Sequence, residues 1–166
     1  MRQTWPMSAG DRLKQLMASL TTNPRVQPIM RKVVPRLDRV ASKLTKGRLV
    51  LTDAIVPTLI LHHVGRKSGQ ARSTPLAYVG DGDRYLVIGS NWGQTHHPAW
   101  ALNISDKPDV EVEVKGRRFP AVAQRLEGAE RDAAWNKARA MWPSFDTYEE
   151  TADGRNIRVF ALRPTG

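Results

Sequence analysis

Three cations, Arg66, Lys67 and Arg72, crowd one short stretch, VGRKSGQARSTPLAYV at positions 64–79. Gly65 and Gly69 lie among them, with the hydroxyls of Ser68, Ser73 and Thr74 alongside. Arginine forks grip oxyanions, and successive turn amides form an anion nest, so the combination suits a phosphate or a polycarboxylate. The spacing is neither GxxxxGK[ST] nor GxGxxG, which excludes the standard nucleotide loops. The bland alternative is a solvated hairpin tip whose charges serve solubility.

A second stretch, VIGSNWGQTHHPAWALN at 87–103, ends an apolar run in small and polar residues and enters a helix at Pro98. Gly89 and Ser90 would let a flat molecule approach the backbone, and Trp92 and Trp100 could stack on it. The alternative is a plain strand-to-helix connection with core tryptophans. In MWPSFDTYEET, Trp142, Phe145 and Tyr148 recur at i, i+3, i+6 and would form one aromatic wall on a helical turn. That wall could line a pocket or pack on the body of the fold. Metal chemistry is poorly served. His62 and His63 point to opposite faces of a strand, and no HExxH occurs. Without a G-x-S-x-G elbow, hydrolysis is also a poor reading.

These residues need elements to hold them. TLILHHV (58–64) and STPLAYV (73–79) read as strands flanking the GRKSGQAR turn, and RYLVIGSN (84–91) as a third strand. Val110, Val112 and Val114 alternate with Glu111, Glu113 and Lys115, and Lys115-Gly116 makes a hairpin turn into RRFPAVAQRLE. NIRVFALRP closes the set as a sixth strand. HPAWALNISDKP and GAERDAAWNKARAMW read as helices. Connections too short for crossovers make the strands an antiparallel sheet or small barrel.

The remaining N-terminal part differs in character. Apolar residues from Val26 to Leu44 keep a helical period, with Lys and Arg on the other side, a break expected at Pro35 and a stop at Gly47. Residues 10–20 read as a short helix, joined through TTNPRVQP. Residues 1–50 hold eleven Lys/Arg against two Asp/Glu, a balance of +9 within a chain total of +10. Such asymmetry points to an anionic surface, membrane or nucleic acid; no nucleic-acid motif accompanies it. The 166 residues suit one domain, and the lack of cysteine fits a reducing cytoplasm. No signal peptide is read, and AIVPTLIL is far too short to span a bilayer.

Together, VGRKSGQARSTPLAYV, DGDRYLVIGSNWG, HPAWALNI with DKPDVEVEV, and MWPSFDTYEETADGRNIRVFALRP resemble, in order, the deazaflavin-dependent nitroreductase family of actinobacteria, which includes F420H2-dependent quinone reductases. The resemblance runs from about residue 47 to the end. It implies a mainly β fold with flanking helices: a six-stranded antiparallel split β-barrel, akin to FMN-binding split barrels, over 47–166, behind a basic helical segment at 1–46. It implies coenzyme F420, whose flat deazaflavin carries a phosphodiester and an acidic oligoglutamate tail. Arg66, Lys67, Ser68 and Arg72 would hold tail and phosphate. Thr74, Pro75, Leu76, Ala77, Ile88, Gly89, Ser90 and Asn91, with Trp100 and Asn103, would surround the deazaflavin, and Ser73, Ala99 and Phe145 would also bind the cofactor. Trp142, Phe145 and Tyr148 would meet the substrate.

The implied activity is hydride transfer from F420H2 to a quinone, menaquinone among them, or another electron-poor acceptor. Ser90 would bond cofactor or acceptor oxygen, and Tyr148 would donate to the developing oxyanion. Relatives that reduce bulky nitroaromatic prodrugs carry tyrosines where Trp142 and Phe145 stand here, which argues against that activity. A cytoplasmic protein resting peripherally on the inner membrane face, with homodimers allowed and no metal, completes the expectation. The alternatives are a non-enzymatic split barrel that binds lipid or fatty acid, and an FMN-using reductase.

Overall fold

The computed structural model describes residues 56–166 together with scattered positions between 16 and 37. Among the described residues six strands are present: β1 (Thr58–Val64), β2 (Ala71–Asp81), β3 (Arg84–Ile88), β4 (Asp109–Val114), β5 (Arg117–Leu126) and β6 (Val159–Pro164). Over residues 56–166 three α-helices accompany them: α1 (Ala99–Asp106), α2 (Gly128–Met141) and α3 (Ser144–Thr151). All strand pairs are antiparallel, and the order β1-β2-β3-β6-β5-β4 closes into a barrel through the β1–β4 pairing.

Strand alternation builds two cores. Leu59, Leu61, Val87, Val110, Val112, Ala121, Ala123, Phe160 and Leu162 fill the interior, where Trp100, Ala101 and Ile104 of α1 pack against them. The opposite faces of β3 and β6 offer Leu86, Val159 and Ala161 to Trp135 and Ala138 of α2 and to Phe145 and Tyr148 of α3. Phe160 is fully buried and touches the Trp100 ring at 5.8 Å between centroids. Truncating such a ring to alanine costs ~3–5 kcal/mol.

Several boundaries depart from the sequence expectation. β2 begins at Ala71, so Arg72 and Ser73 lie on the strand, paired with His63 and His62, and the turn is shorter than expected. β3 stops at Ile88, three residues short of the expected end; the Gly89 amide still donates to the Arg158 carbonyl, the next pair of the β3–β6 register, and the chain then leaves the sheet at Ser90. The stretch after Pro143 forms a third helix, which leaves Trp142 outside it as the C-cap of α2. The short helix at 10–20 and the Val26–Leu44 helix fall mostly outside the described residues. Ile29, Val33 and Leu37 are described; all three are helical and exposed, by 63%, 42% and 50%. No helix among the described residues is long and apolar enough to cross a membrane.

Candidate functional site

The β1–β2 hairpin carries the first half of the site. Gly65 donates to the Gln70 carbonyl at 2.8 Å, and Gly69 to the Gly65 carbonyl at 2.8 Å, closing a tight loop. Gly69 has φ +69°, a left-handed conformation natural to glycine. A Cβ on Gly65 would lie 2.7 Å from Ser68 Oγ and 3.0 Å from Arg72 Nε. The Arg72 side chain therefore folds back over the turn from its strand, which gathers all three cations at one tip. Arg66, Lys67 and Arg72 are exposed, and none has a carboxylate partner among the described residues. Elsewhere, Arg84, Arg118, Lys137 and Arg139 each find one.

A buried polar network fixes this tip to α1. The Arg66 amide donates to Asn103 Oδ1 at 3.1 Å, and Asn103 Nδ2 lies 3.2 Å from His63 Nδ1. His63 Nε2 lies 3.1 Å from Thr74 Oγ1. Because the amide nitrogen only donates, Nδ1 is the acceptor, and the network assigns the proton to Nε2. Burial, then nearby Arg72 and His62, hold His63 below the ordinary histidine range despite an opposing backbone bond. His62 faces the other way, 2.9 Å from Ser73 Oγ and 3.1 Å from Glu113 Oε2. The two histidines thus lie on opposite faces, as the alternation predicts.

The second half is the loop after β3. Asn91, Trp92 and Gly93 are consecutive left-handed residues, with φ of 50°, 57° and 72°. For a bulky residue such as tryptophan this is an outlier of the kind held in place at functional sites, at a cost of about 1–3 kcal/mol. Several bonds hold the loop. Gly93 donates to the Ser90 carbonyl at 3.0 Å, Asn91 Nδ2 to the His96 carbonyl at 2.9 Å, and Gln94 Nε2 to the Asn91 carbonyl at 3.0 Å.

The main clamp is Arg155. Its Nε donates to the Gln94 carbonyl at 2.8 Å. One terminal nitrogen reaches the Gly89 carbonyl at 3.1 Å and His97 Nδ1 at 3.2 Å; the other reaches the Ser90 carbonyl at 2.6 Å. Burial, then Arg158, Arg155 and Arg125, push His97 below its ordinary range. Helix α1 follows this loop at Pro98 and carries Asn103, so it joins the two halves.

The expected site residues divide by placement. Ser90 is half-buried, and its side chain has no hydrogen bond among the described residues. Thr74 bonds His63, and Leu76 packs on the interior core, while Pro75 and Ala77 face outward by alternation. Ile88 packs on the second core, and Ala99 is exposed. Trp100 and Asn103 are only 7% and 5% exposed, so they support the site from behind. Phe145 and Tyr148 are 6% and 4% exposed, and Trp92 stands 6.4 Å from the Tyr148 ring.

With this geometry in hand, similarity to known proteins is decisive. A model of the F420H(2)-dependent quinone reductase family matches residues 30–164. The chain belongs to that family. A Mycobacterium tuberculosis protein carrying the family's name is 34% identical over 109 residues, 66% of this chain and 91% of its own. Another from that species is 40% identical over 78 residues, 47% of this chain, which spans about half (52%) of that relative's length. Among solved structures, an F420-H2 dependent reductase superposes with a TM-score of 0.59 at 32% identity, covering 64% of this chain and 94% of its own. A domain-swapped dimer superposes at 0.61 with 28% identity, covering 77% and 97%.

The chain is thus an F420H2-dependent oxidoreductase, and its cofactor is F420. The residues present fit that group. An acidic tail and phosphodiester require uncompensated cations, which the hairpin tip supplies in Arg66, Lys67 and Arg72. Sequence reasoning missed Arg155, although it lies within a stretch that carries the family resemblance. Its partners are 58 to 66 residues away in the chain, and no local pattern marks it as their clamp.

Proposed function

We propose that this reductase passes hydride from F420H2 to a quinone, with the cofactor lying between the β1–β2 hairpin and the Gly89–Gly93 loop. The observation that carries the placement is the hairpin tip: three cations without carboxylate partners on a loop anchored to α1. When bound, the deazaflavin supplies the hydride. In this reading Arg66, Lys67 and Arg72 hold the acidic end, and the clamped backbone at Gly89–Asn91 lets the ring lie close. Ser90 donates to a cofactor or acceptor oxygen, and Tyr148 backs the acceptor side with Trp142 and Phe145. The test is an anaerobic acceptor screen with F420H2, following loss of the reduced cofactor. Menaquinone analogues should turn over, and bicyclic nitroimidazoles should not, because Phe145 lacks a hydroxyl. Turnover of nitroimidazoles alone would reject the quinone assignment.

The exposed apolar positions Ile29, Val33 and Leu37, spaced at i, i+4, i+8, support peripheral attachment to an anionic leaflet. Each neighbouring Lys or Arg near such a surface adds about 1 kcal/mol. A lipid-soluble quinone would be met there. Co-sedimentation with anionic vesicles at low salt, absent with neutral ones, is the expected result. Likeness to a solved domain-swapped dimer supports homodimer assembly, which sedimentation equilibrium reads.

A further inference from the structure

A second basic site lies away from the hairpin. A cleft of about 300 Å³ opens where β5 ends and β6 begins, lined by Arg125, Arg131 and Arg158 with Glu127, Gly128 and Asn156, over Leu126 and Ile157. Its lining thus holds three guanidinium groups and one carboxylate. The internal bonding leaves donors unused. Arg131 reaches Asp132 at 3.1 Å and Glu149 at 3.3 Å and lies over the Trp135 ring. Among the described residues, the Arg158 side chain reaches only the neutral Ser105 Oγ, at 2.9 Å. The Nε atoms of both Arg131 and Arg158 are buried without a hydrogen-bond partner among the described residues. A buried donor left unpaired costs roughly 1–3 kcal/mol, so two in one cleft call for an explanation.

Two further features have the same sign. Helix α2 opens at the cleft, and its N-cap residue, Glu127, makes no side-chain capping bond. The first-turn amides therefore keep their donors, at the positive end of a helix of fourteen residues. Burial, then Arg125, lowers the Arg158 pKa, as expected for cations crowded without a counter-charge. Glu127 pairs with Arg125 at 3.4 Å, but its side chain is 73% exposed and is easily displaced.

We propose that this cleft binds a small multivalent oxyanion, of the phosphate or dicarboxylate class, between Arg125, Arg158 and the start of α2, with Glu127 swinging aside. None of these residues belongs to the cofactor cradle. The two are nevertheless joined through the backbone, because the Gly89 amide donates to the Arg158 carbonyl at 2.8 Å. Occupancy would brace the Arg155–Arg158 segment, whose first residue clamps Ser90.

The test uses the full chain without F420, titrated with inorganic phosphate against chloride at constant ionic strength. Phosphate should raise Tm saturably, by about 3–6 °C at ten times its dissociation constant. The Arg125→Gln/Arg158→Gln variant should lose this rise. The Arg66→Ala/Lys67→Ala variant should keep it, which separates the cleft from the hairpin. Phosphate line broadening in 31P spectra provides a second reading with the same three proteins. A wild-type response equal to that of chloride, or a rise that survives loss of both cleft arginines, overturns the proposal. A rise abolished only by the hairpin variant assigns the anion to the cofactor site instead.

Discussion

Replacing Arg155 by alanine removes the donor that three backbone carbonyls share, those of Gly89, Ser90 and Gln94. Hydrogen bonds to a charged donor contribute about 1.5–3 kcal/mol each. Their full sum overstates the loss, since the clamp is only half-buried and water enters where the side chain leaves. A net loss of ~2–3 kcal/mol is the working figure, equivalent to a fall of roughly 30–150-fold in an equilibrium constant. The loss is local. The barrel ladders do not pass through Arg155, whereas the left-handed run Asn91–Trp92–Gly93 relies on it to offset backbone strain. F420 affinity, read by quenching of its fluorescence, should therefore drop by that factor while the far-UV circular dichroism stays unchanged. Arg155→Lys should fall between, because one ammonium cannot fork across three carbonyls. If Arg155→Ala binds F420 within threefold of the wild type with its fold intact, the clamped loop is not part of the cofactor site.

Other consequences are equally direct. A Cβ on Gly93 would lie 2.0 Å from Thr151 Oγ1 and 3.1 Å from Tyr148 Cα at φ +72°, so Gly93→Ala should cost about 2–4 kcal/mol in a urea titration. His63 and His97 both have folded pKa values lowered from 6.5, so the unfolded chain takes up protons first as pH falls. Their contribution to stability is complete above that value and is lost below it; His63→Gln should flatten the decline in urea midpoint between pH 7 and 5. Tyr148→Phe should lower kcat for a quinone ~10-fold if the hydroxyl stabilises developing charge, with F420 affinity unchanged.

Much of the fold was legible because its strands announce themselves locally. The alternation Val110, Val112, Val114 and the Lys115–Gly116 turn gave the β4–β5 hairpin, and both turn residues are left-handed as such a turn requires. Barrel closure was harder. Ile60 pairs with Glu113 and Val87 with Phe160, and nothing near either residue in the chain encodes the partner. That three cations share one hairpin was readable from type and spacing, whereas the cofactor role proposed for them came from family likeness. Their anchor was only half readable: Asn103 came from family likeness, and the histidine that connects it to Thr74 looked like one of an idle pair. The strained loop was read merely as small and polar residues between a strand and a helix. Its left-handed turn is imposed by Arg155 and by α3 packed against Gly93, both tertiary constraints.

The central claim is that the hairpin tip holds the acidic end of F420. Titrating F420 into wild-type protein and the Arg66→Ala/Lys67→Ala variant at low and high salt tests it most directly. Two charge-assisted contacts are worth roughly 2–4 kcal/mol, so the variant should bind about 30- to 800-fold more weakly. The wild type should weaken with salt more steeply than the variant, because exposed charge contributes part of its affinity. Equal affinity and equal salt dependence in the two proteins would contradict the account and remove the hairpin from the site.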